Sequence, residues 1–198
     1  MNKNWISLLI IACLTLALVF FWDTSPQALL GEKGEEKETL PSIYPNNIVT
    51  DHTSRHFNES GKLNHLFVAN EVRHFQVHPK RQSRKDYTEI SRPRLTLFRE
   101  DAPPWKIISD TGHATANSSV ITFEGNVMVW QIDPATGRRS ELTTSKLVVK
   151  PDQHYAETDK PVMILAPDST TSAVGMKALL NQDKIQLLSR VRGTYEAP

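Results

Sequence analysis

Apolar and polar residues alternate in short runs along the C-terminal part of the chain, and turn-forming residues separate the runs. Successive side chains of a strand point to opposite faces, so this alternation predicts half-buried β-strands. Residues 173–180 could form a helical turn but are interpreted as a strand, and no window predicts a long amphipathic helix. The pattern indicates an all-β domain, either a sandwich, a barrel or a jelly roll. The runs lie at residues 65–69, 94–98, 105–108, 120–130, 142–149, 161–165 and 185–195.

A unit made of a turn and a strand repeats three times within these runs. Ile121, Phe123 and Leu187 occupy even positions of the unit, and even spacing places side chains on one face of a strand. Serial β-units of this kind bury one continuous apolar interior. An ordinary antiparallel sandwich with chance spacing is the alternative interpretation. The copies begin at Asn117, Asp152 and Asn181, and ten residues later each has a valine: Val127, Val162 and Val191.

An apolar segment without charged residues extends from Trp5 to Trp22. As a helix it would span about 27 Å, close to the thickness of a bilayer core, and tryptophans bracket it as they do at membrane interfaces. A cleaved signal peptide is the alternative, but the segment is long for one and poor cleavage sites follow it. We therefore predict a cytoplasmic N-terminus at residues 1–4, a single transmembrane helix at residues 5–22, a flexible linker at residues 23–47 and an exported domain at residues 48–198.

Charge and cysteine usage narrow the compartment and the class of ligand. The net charge is +1, whereas a nucleic-acid binder would have a strong basic excess. Lys3 precedes the apolar segment and acidic residues follow it, which favours a cytoplasmic N-terminus. The single cysteine, Cys13, lies in that segment, so the exported domain has neither disulfides nor thiolate metal ligands. This usage suits a bacterial periplasm.

No catalytic residue, metal site or cofactor is predicted. His52 and His56, like His74 and His78, are four residues apart, a spacing that suits a metal site on a helix but not the extended segments expected here. The sequence has no phosphate-binding loop and no nucleophile elbow. The basic stretch at residues 78–85 is interpreted as a solvated hairpin loop, with binding to anionic lipid headgroups or phosphates as the alternative.

Three segments resemble successive strands of the β-jellyroll superfamily of lipopolysaccharide export, the LptA/LptC/OstA-like domains. They are Phe123–Val129, Tyr155–Ile164 and Val191–Glu196, and their order and spacing make the likeness specific. The N-terminal anchor, Trp105 and the Arg138-Arg139 pair are similar to the LptC-like family rather than to soluble LptA-like proteins. The resemblance covers about residues 48–196. It departs from the family pattern at the insertion-like segment 79–86 and at Ala166, where a glycine is expected.

The resemblance implies an open, V-shaped β-jellyroll, a twisted antiparallel sandwich that carries lipid and has no enzymatic activity. Proteins of this family sit in the inner membrane beside the LptB–LptF–LptG transporter, receive lipopolysaccharide from it and pass it to periplasmic LptA. An apolar groove would hold the acyl chains of lipid A, because burial removes their surface from water. A membrane-anchored periplasmic scaffold with a closed core and no lipid ligand is the alternative. An anchored periplasmic hydrolase is a third hypothesis, which no motif supports.

The expected site residues combine the shared register with this resemblance. Jellyroll edges have unpaired backbone groups that can join a partner by strand addition. The first strand, from Ile48 to Phe57, is expected to pair with LptF. The last strand, from Ile185 to Tyr195, is expected to pair with LptA, with Leu188 and Ser189 at that edge. The lipid-binding candidates are Ile121, Phe123, Val127, Val162, Leu187 and Val191 on the interior face, with Ile90, Ile185 and Tyr195 at the groove rim.

Overall fold

The computed structural model describes residues 44–78, 81–100 and 102–195. The anchor predicted at residues 5–22 and residues 23–43 of the predicted linker lie outside this part of the chain. No helix within the described ranges is long and apolar enough to cross a membrane. The first strand begins at Asn47, and the division of the chain into anchor, linker and domain stays a prediction.

The described residues form eleven β-strands and a short 3-10 helix at Pro151–Gln153. The all-β prediction is confirmed, as are the strands predicted from alternation, including the one at residues 173–180. The strands are β1 (Asn47–Phe57), β2 (Leu63–Phe75), β3 (Tyr87–Ser91), β4 (Arg94–Arg99), β5 (Ala102–Ile108), β6 (Thr111–Thr115), β7 (Ile121–Ile132), β8 (Arg139–Lys150), β9 (Tyr155–Ala166), β10 (Ser169–Leu179) and β11 (Lys184–Tyr195).

All eleven strands belong to one sheet, and each pairing is antiparallel. β2 pairs with β4 through residues 65–68 and with β3 through residues 71–75. Both routes lead to β7, one through β4 and β5 and the other through β3 and β6, so the pairings close a ring. Strands β8 to β11 extend the sheet from β7, and β1 extends it from β2. The open V shape of the predicted jellyroll stays a prediction.

The core lies inside this ring and continues along β8 to β10. Its side chains come from alternate strand positions, as the burial of Leu95 and Leu97 on β4 and of Leu147 and Val149 on β8 illustrates. Each pair is separated by an outward residue that is more exposed. Burial of such side chains contributes about 1.5–3 kcal/mol each relative to exposure, so this interior holds the two routes of the ring together.

The strands from β7 to β11 each have an irregular position near the middle, and this accounts for the repeat in the sequence. On β7, the core residues Phe123 and Val127 are four positions apart, whereas their partners Leu147 and Thr144 on β8 are three apart. β7 therefore has one extra residue, a β-bulge, which bends a strand. The longer step recurs on β9, from Thr158 to Val162, and on β11, from Leu187 to Val191, and β10 has the shorter step, from Ala173 to Met176.

Two glycines permit close approach at these irregular positions. Gly125 has φ +74, and a Cβ atom there would lie 2.8 Å from Oδ2 of Asp110. Gly175 has φ +79, and a Cβ atom there would lie 2.9 Å from Cδ1 of Leu188. A side chain would be strained by the backbone and by the neighbouring atoms at both places. The two glycines thus fix where β7 and β10 can bend.

Candidate functional site

Four of the predicted interior residues lie in the closed core. Ile121, Phe123, Val127 and Val162 have exposed fractions of 5%, 0%, 1% and 3%. Ile90 on β3, predicted at the groove rim, is also a core residue, with 5% exposed. These five side chains are packed against protein, so lipid would reach them only if the surrounding strands moved apart. Their contact with lipid stays a prediction.

The predicted lipid-binding residues of β11 also lie on the inner face of the sheet, but less protein covers them. Ile185 and Leu187 pair with the core residues Ala178 and Met176 of β10, so they lie on the inner face of the sheet. Leu187 packs against the core, while Ile185 is 39% exposed. Val191 and Tyr195 follow on that face and are 54% and 72% exposed. The inner face of β11 is therefore an apolar surface with little protein over it. This is because β11 is an edge strand that pairs only with β10 among the described strands.

An interior cavity of about 210 Å³ opens beside this surface. Of the predicted lipid-binding residues, it includes Ile185 alone. The register from which the candidates were chosen followed β7, β9 and β11, so the core positions of β8 and β10 were missed. Their period-two alternation would have found them. The apolar lining includes Trp105, Val129, Leu142, Leu147, Ala156, Ile164, Met176 and Leu180.

A buried arginine contacts several residues that line this cavity. The side chain of Arg99, at the end of β4, is 4% exposed. Its Nη1 donates to the carbonyl oxygen of Leu180 at 3.1 Å and to Oδ1 of Asp183 at 2.5 Å. Trp105 Nε1 donates to the same carbonyl at 3.2 Å. Arg99 also donates to the Pro103 carbonyl at 2.8 Å and to Gln131 Oε1 at 3.0 Å.

These contacts tie the β4–β5 hairpin to the turn between β10 and β11. We call them the Arg99 clasp: Arg99, Trp105, Leu180 and Asp183. Hydrogen bonds from a charged donor contribute about 1.5–3 kcal/mol each, and without Arg99 the Leu180 carbonyl would keep only the hydrogen bond from Trp105. The clasp therefore resists separation of the β4–β5 hairpin from the turn between β10 and β11, next to the cavity. No local motif in the sequence marks Arg99 for this part.

The predicted partner edges lie on the two terminal strands of the sheet. β1 pairs only with β2 in the described chain, and its Ile48 and Phe57 are 57% and 54% exposed. Leu188 and Ser189 lie on β11, and Leu188 is 49% exposed. Strands with one neighbour present unpaired backbone groups along the other side. Their pairing with other proteins stays a prediction.

Histidines of different strands meet beside β1. The rings of His56 and His65 stack with centroids 4.7 Å apart, and His56 Nε2 lies 3.7 Å from Oδ1 of Asp152. Burial, and then the nearby His56, lower the pKa of His65 from 6.5. The buried Nδ1 of His65 has no hydrogen-bond partner in the described structure. Among the described residues, no group of three or more His, Cys, Asp or Glu side chains could hold a metal ion.

Comparison with known proteins adds a family. Residues 8–196 match a family described as lipopolysaccharide-assembly, LptC-related. The match covers all eleven strands and most of the predicted anchor, so it extends over nearly the whole chain of 198 residues. No curated protein matches the sequence.

Proposed function

The chain belongs to the LptC-related family of lipopolysaccharide-assembly proteins, and we propose that it transfers lipopolysaccharide without an enzymatic step of its own. In this proposal, it receives the lipid that the LptB–LptF–LptG transporter extracts from the inner membrane. It then passes the lipid to periplasmic LptA. Family membership supports a role in lipopolysaccharide transport, and the two hand-over steps are the finer part of the proposal.

The observation that carries the proposal is the apolar inner face of β11 beside the interior cavity. Val191 and Tyr195 expose apolar surface there, and Ile185 joins that surface to the cavity. Transfer of acyl chains from water to such a surface stabilises by about 0.8 kcal/mol for each buried CH₂ group. Several methylene groups per chain would therefore give a useful affinity without any polar contact.

The size of the cavity sets a condition on this function. Its volume of about 210 Å³ is below the roughly 300–1,000 Å³ that is typical of ligand pockets. The state described here therefore has room for part of an acyl chain. Binding of the whole lipid requires the strands around the cavity to separate near β11. In the proposal, separation proceeds from the exposed edge towards the core residues Phe123 and Val127, and the Arg99 clasp opposes it.

The two edge strands give the proposed pathway a direction. β1 would pair with the periplasmic jellyroll of LptF, and β11 would pair with the N-terminal edge of LptA. Backbone groups along each edge are available for strand addition. In this arrangement, lipid enters next to the strand that follows the predicted anchor and leaves at the far end of the sheet.

Site-specific photo-crosslinking tests the lipid-binding surface. A crosslinker at Ile185 or Tyr195, on the inner face of β11, should capture lipopolysaccharide in energised membranes. One at Gln186, which pairs with the outward Lys177 on the same strand, is the matched control and should not. Capture at Phe123 would show that the core opens during transfer. Equal capture at Tyr195 and Gln186 would contradict a binding face.

The proposed anchor and location need a separate test. The segment Trp5–Trp22 should hold the full-length protein in the inner membrane, with residues 48–198 in the periplasm. Carbonate or high-salt washing of membranes should then leave the protein in the pellet. Release of a fragment that begins near Ala28 would instead indicate a cleaved signal peptide.

A membrane-anchored scaffold with no lipid ligand is the second candidate function. The tight core favours it, because Phe123, Leu147 and Val149 each have an exposed fraction of 0%. A scaffold would show no lipid capture at Ile185, Phe123 or Tyr195, and it would still pair with its partners through β1 and β11. Crosslinking to lipid and to partner proteins in the same membranes separates the two functions.

A further inference from the structure

A second concave surface lies on the outer face of the sheet, opposite the core. It is a trough of about 810 Å³ that crosses β7 to β11 at their irregular positions, from Asn126 to Arg192. Met128, Met163 and Val174 line it and lie next to the core residues Val127, Val162 and Ala173 in the chain. Because strand side chains alternate, these three point away from the core. We call this surface the outer trough.

The lining of the outer trough combines apolar and small polar groups. Met128, Met163 and Val174 provide flat apolar surface, and Met163 is 47% exposed. Hydroxyl and amide groups stand among them, from Thr143, Ser145, Ser172 and Asn126. Five adjacent strands span about 19 Å at the usual strand spacing. The trough is therefore long enough for an extended polar ligand rather than a single ion.

The charged side chains among the described residues that line the outer trough are all positive. Among its described lining residues, only Arg190 and Arg192 of β11 are charged. Neither side chain forms an ion pair or hydrogen bond within the described structure. By contrast, the nearby Arg138 pairs with Asp168, and Arg139 pairs with Glu141 at 2.7 Å. Acidic groups close to the irregular positions are also paired, Glu124 with Lys146 and Asp159 with Lys160.

The backbone of β11 is arranged so that both arginines reach the trough. Arg190 has φ 51, in the left-handed region that side chains other than glycine rarely adopt. It lies within the bulge of β11, where the register against β10 shifts. Bulges re-aim side chains, and strained backbone positions of this kind cluster at functional sites. The strain at Arg190 is therefore retained at the point where β11 meets the trough.

We propose that the outer trough binds a phosphorylated saccharide. Arginine forms bidentate hydrogen bonds with phosphate oxygens, and the hydroxyl and amide groups can bond to sugar hydroxyls. The apolar side chains supply surface for the C–H faces of a sugar ring. This inference extends the proposed function, because a phosphorylated saccharide is the headgroup of a glycolipid whose acyl chains would lie on the inner face of β11.

Calorimetric titration of the full-length protein in detergent micelles tests the proposal with defined probes. The first probe is a glucosamine disaccharide with two phosphates and no acyl chains. The second is the same disaccharide without phosphates, and the third is the acylated, phosphorylated glycolipid. We expect the first to bind and the second not to bind. Binding by the third but not the first would overturn the proposal, because the acyl chains would then carry the affinity.

Substitutions on β11 locate the binding site. Arg190→Gln with Arg192→Gln should weaken binding of the phosphorylated disaccharide by about tenfold or more, since it removes charge-assisted hydrogen bonds. Lys177→Gln with Lys184→Gln is the matched control, because it also removes two positive charges, on β10 and β11 outside the trough, and it should leave the affinity unchanged. Equal weakening by the control would indicate general attraction between charges and would overturn the site.

Two further outcomes keep this inference separate from the proposed function. If the double variant loses the disaccharide but still crosslinks acylated lipid at Tyr195, the trough is a headgroup site and the inner face an acyl site. Unchanged disaccharide affinity in the double variant rejects the trough while leaving the inner face untouched.

Discussion

The two edge strands, β1 and β11, have similar lengths and one pairing neighbour each, but their inner faces differ in chemistry. On β1, the positions opposite Ala69, Phe67 and His65 hold His52, Ser54 and His56. On β11, the positions opposite Ala178, Met176 and Ser169 hold Ile185, Leu187 and Tyr195. The inner face is therefore largely polar on the β1 edge and apolar on the β11 edge.

Of the two edges, only β11 has the apolar inner face that contact with acyl chains would require. Val49 on β1 is 46% exposed, but polar side chains follow it on the inner face. The attachments of the two ends differ as well. β11 follows a turn held by the buried Arg99, whereas β1 has the stacked His56 and its exposed contact with Asp152. In the proposed function, both edges join a partner strand, and β11 also holds lipid.

The largest effect is expected from removing the clasp beside β11. Arg99→Met should lower the free energy of unfolding by about 2–4 kcal/mol, because the carbonyl of Leu180 loses a charged donor and Asp183 loses its partner. Lys62→Met is the control, since Lys62 forms an exposed ion pair with Glu100, and pairs of this kind contribute about 0–1 kcal/mol. Urea denaturation of both variants measures the difference. Equal destabilisation would show that the two ends are held equally.

A second effect is expected from proline in the edge strands. Leu188→Pro and Ser189→Pro probe adjacent N–H groups, one of which points away from β10 in a regular strand. The variant with proline at the outward N–H should reduce capture of an LptA jellyroll about tenfold. It removes a hydrogen-bond donor from the edge, and the proline ring clashes with the incoming strand. Leu188→Ala should have much less effect, and Ser54→Pro and Arg55→Pro on β1 should leave LptA capture intact.

Thermal melting accompanies these capture assays. A proline variant that unfolds would show that β11 is needed for the fold as a whole. If both β11 proline variants stay folded and capture LptA as the natural sequence does, β11 is not the partner edge.

The smallest effect is expected from pH at the β1 end. The pKa of His65 is lowered by burial and by His56, with His154 adding to the lowering and Asp152 opposing it. The unfolded chain therefore takes up a proton first, near pH 6.5. Stability should fall as the pH drops below that value, and level off below the folded pKa.

Melting temperatures at about pH 8 and pH 5 measure this dependence. His65→Gln should flatten the difference between the two temperatures, while His113→Gln, at an exposed position of β6, should leave it as it is. If the melting temperature of the natural sequence is the same at both pH values, the fold around β1 does not disfavour protonation of His65.

Much of the fold could be predicted from the sequence because strand burial is encoded locally. Alternation located β4, β5, β7 and β8, whereas the β-bulges of β7, β9 and β11 were not predicted. The candidate site was harder to predict. Val127 and Val191 occupy equivalent positions of the repeat, yet one is 1% exposed and the other is 54% exposed. Nothing near either residue in the sequence tells them apart, because their burial depends on which strand lies opposite.

From the sequence, an all-β domain and the side chains that share a face could be predicted, and the resemblance to the lipopolysaccharide-export family was visible. These properties follow from the period of two along a strand and from the order of motifs. Only the folded structure shows that Val191 is exposed where Val127 is buried, and that Arg99 reaches the turn after β10. It also shows that Arg190 and Arg192 line one trough with Met128, although β8, β9 and β10 lie between their strands. Such contacts join residues far apart in the chain, and only the pairing of strands brings them together.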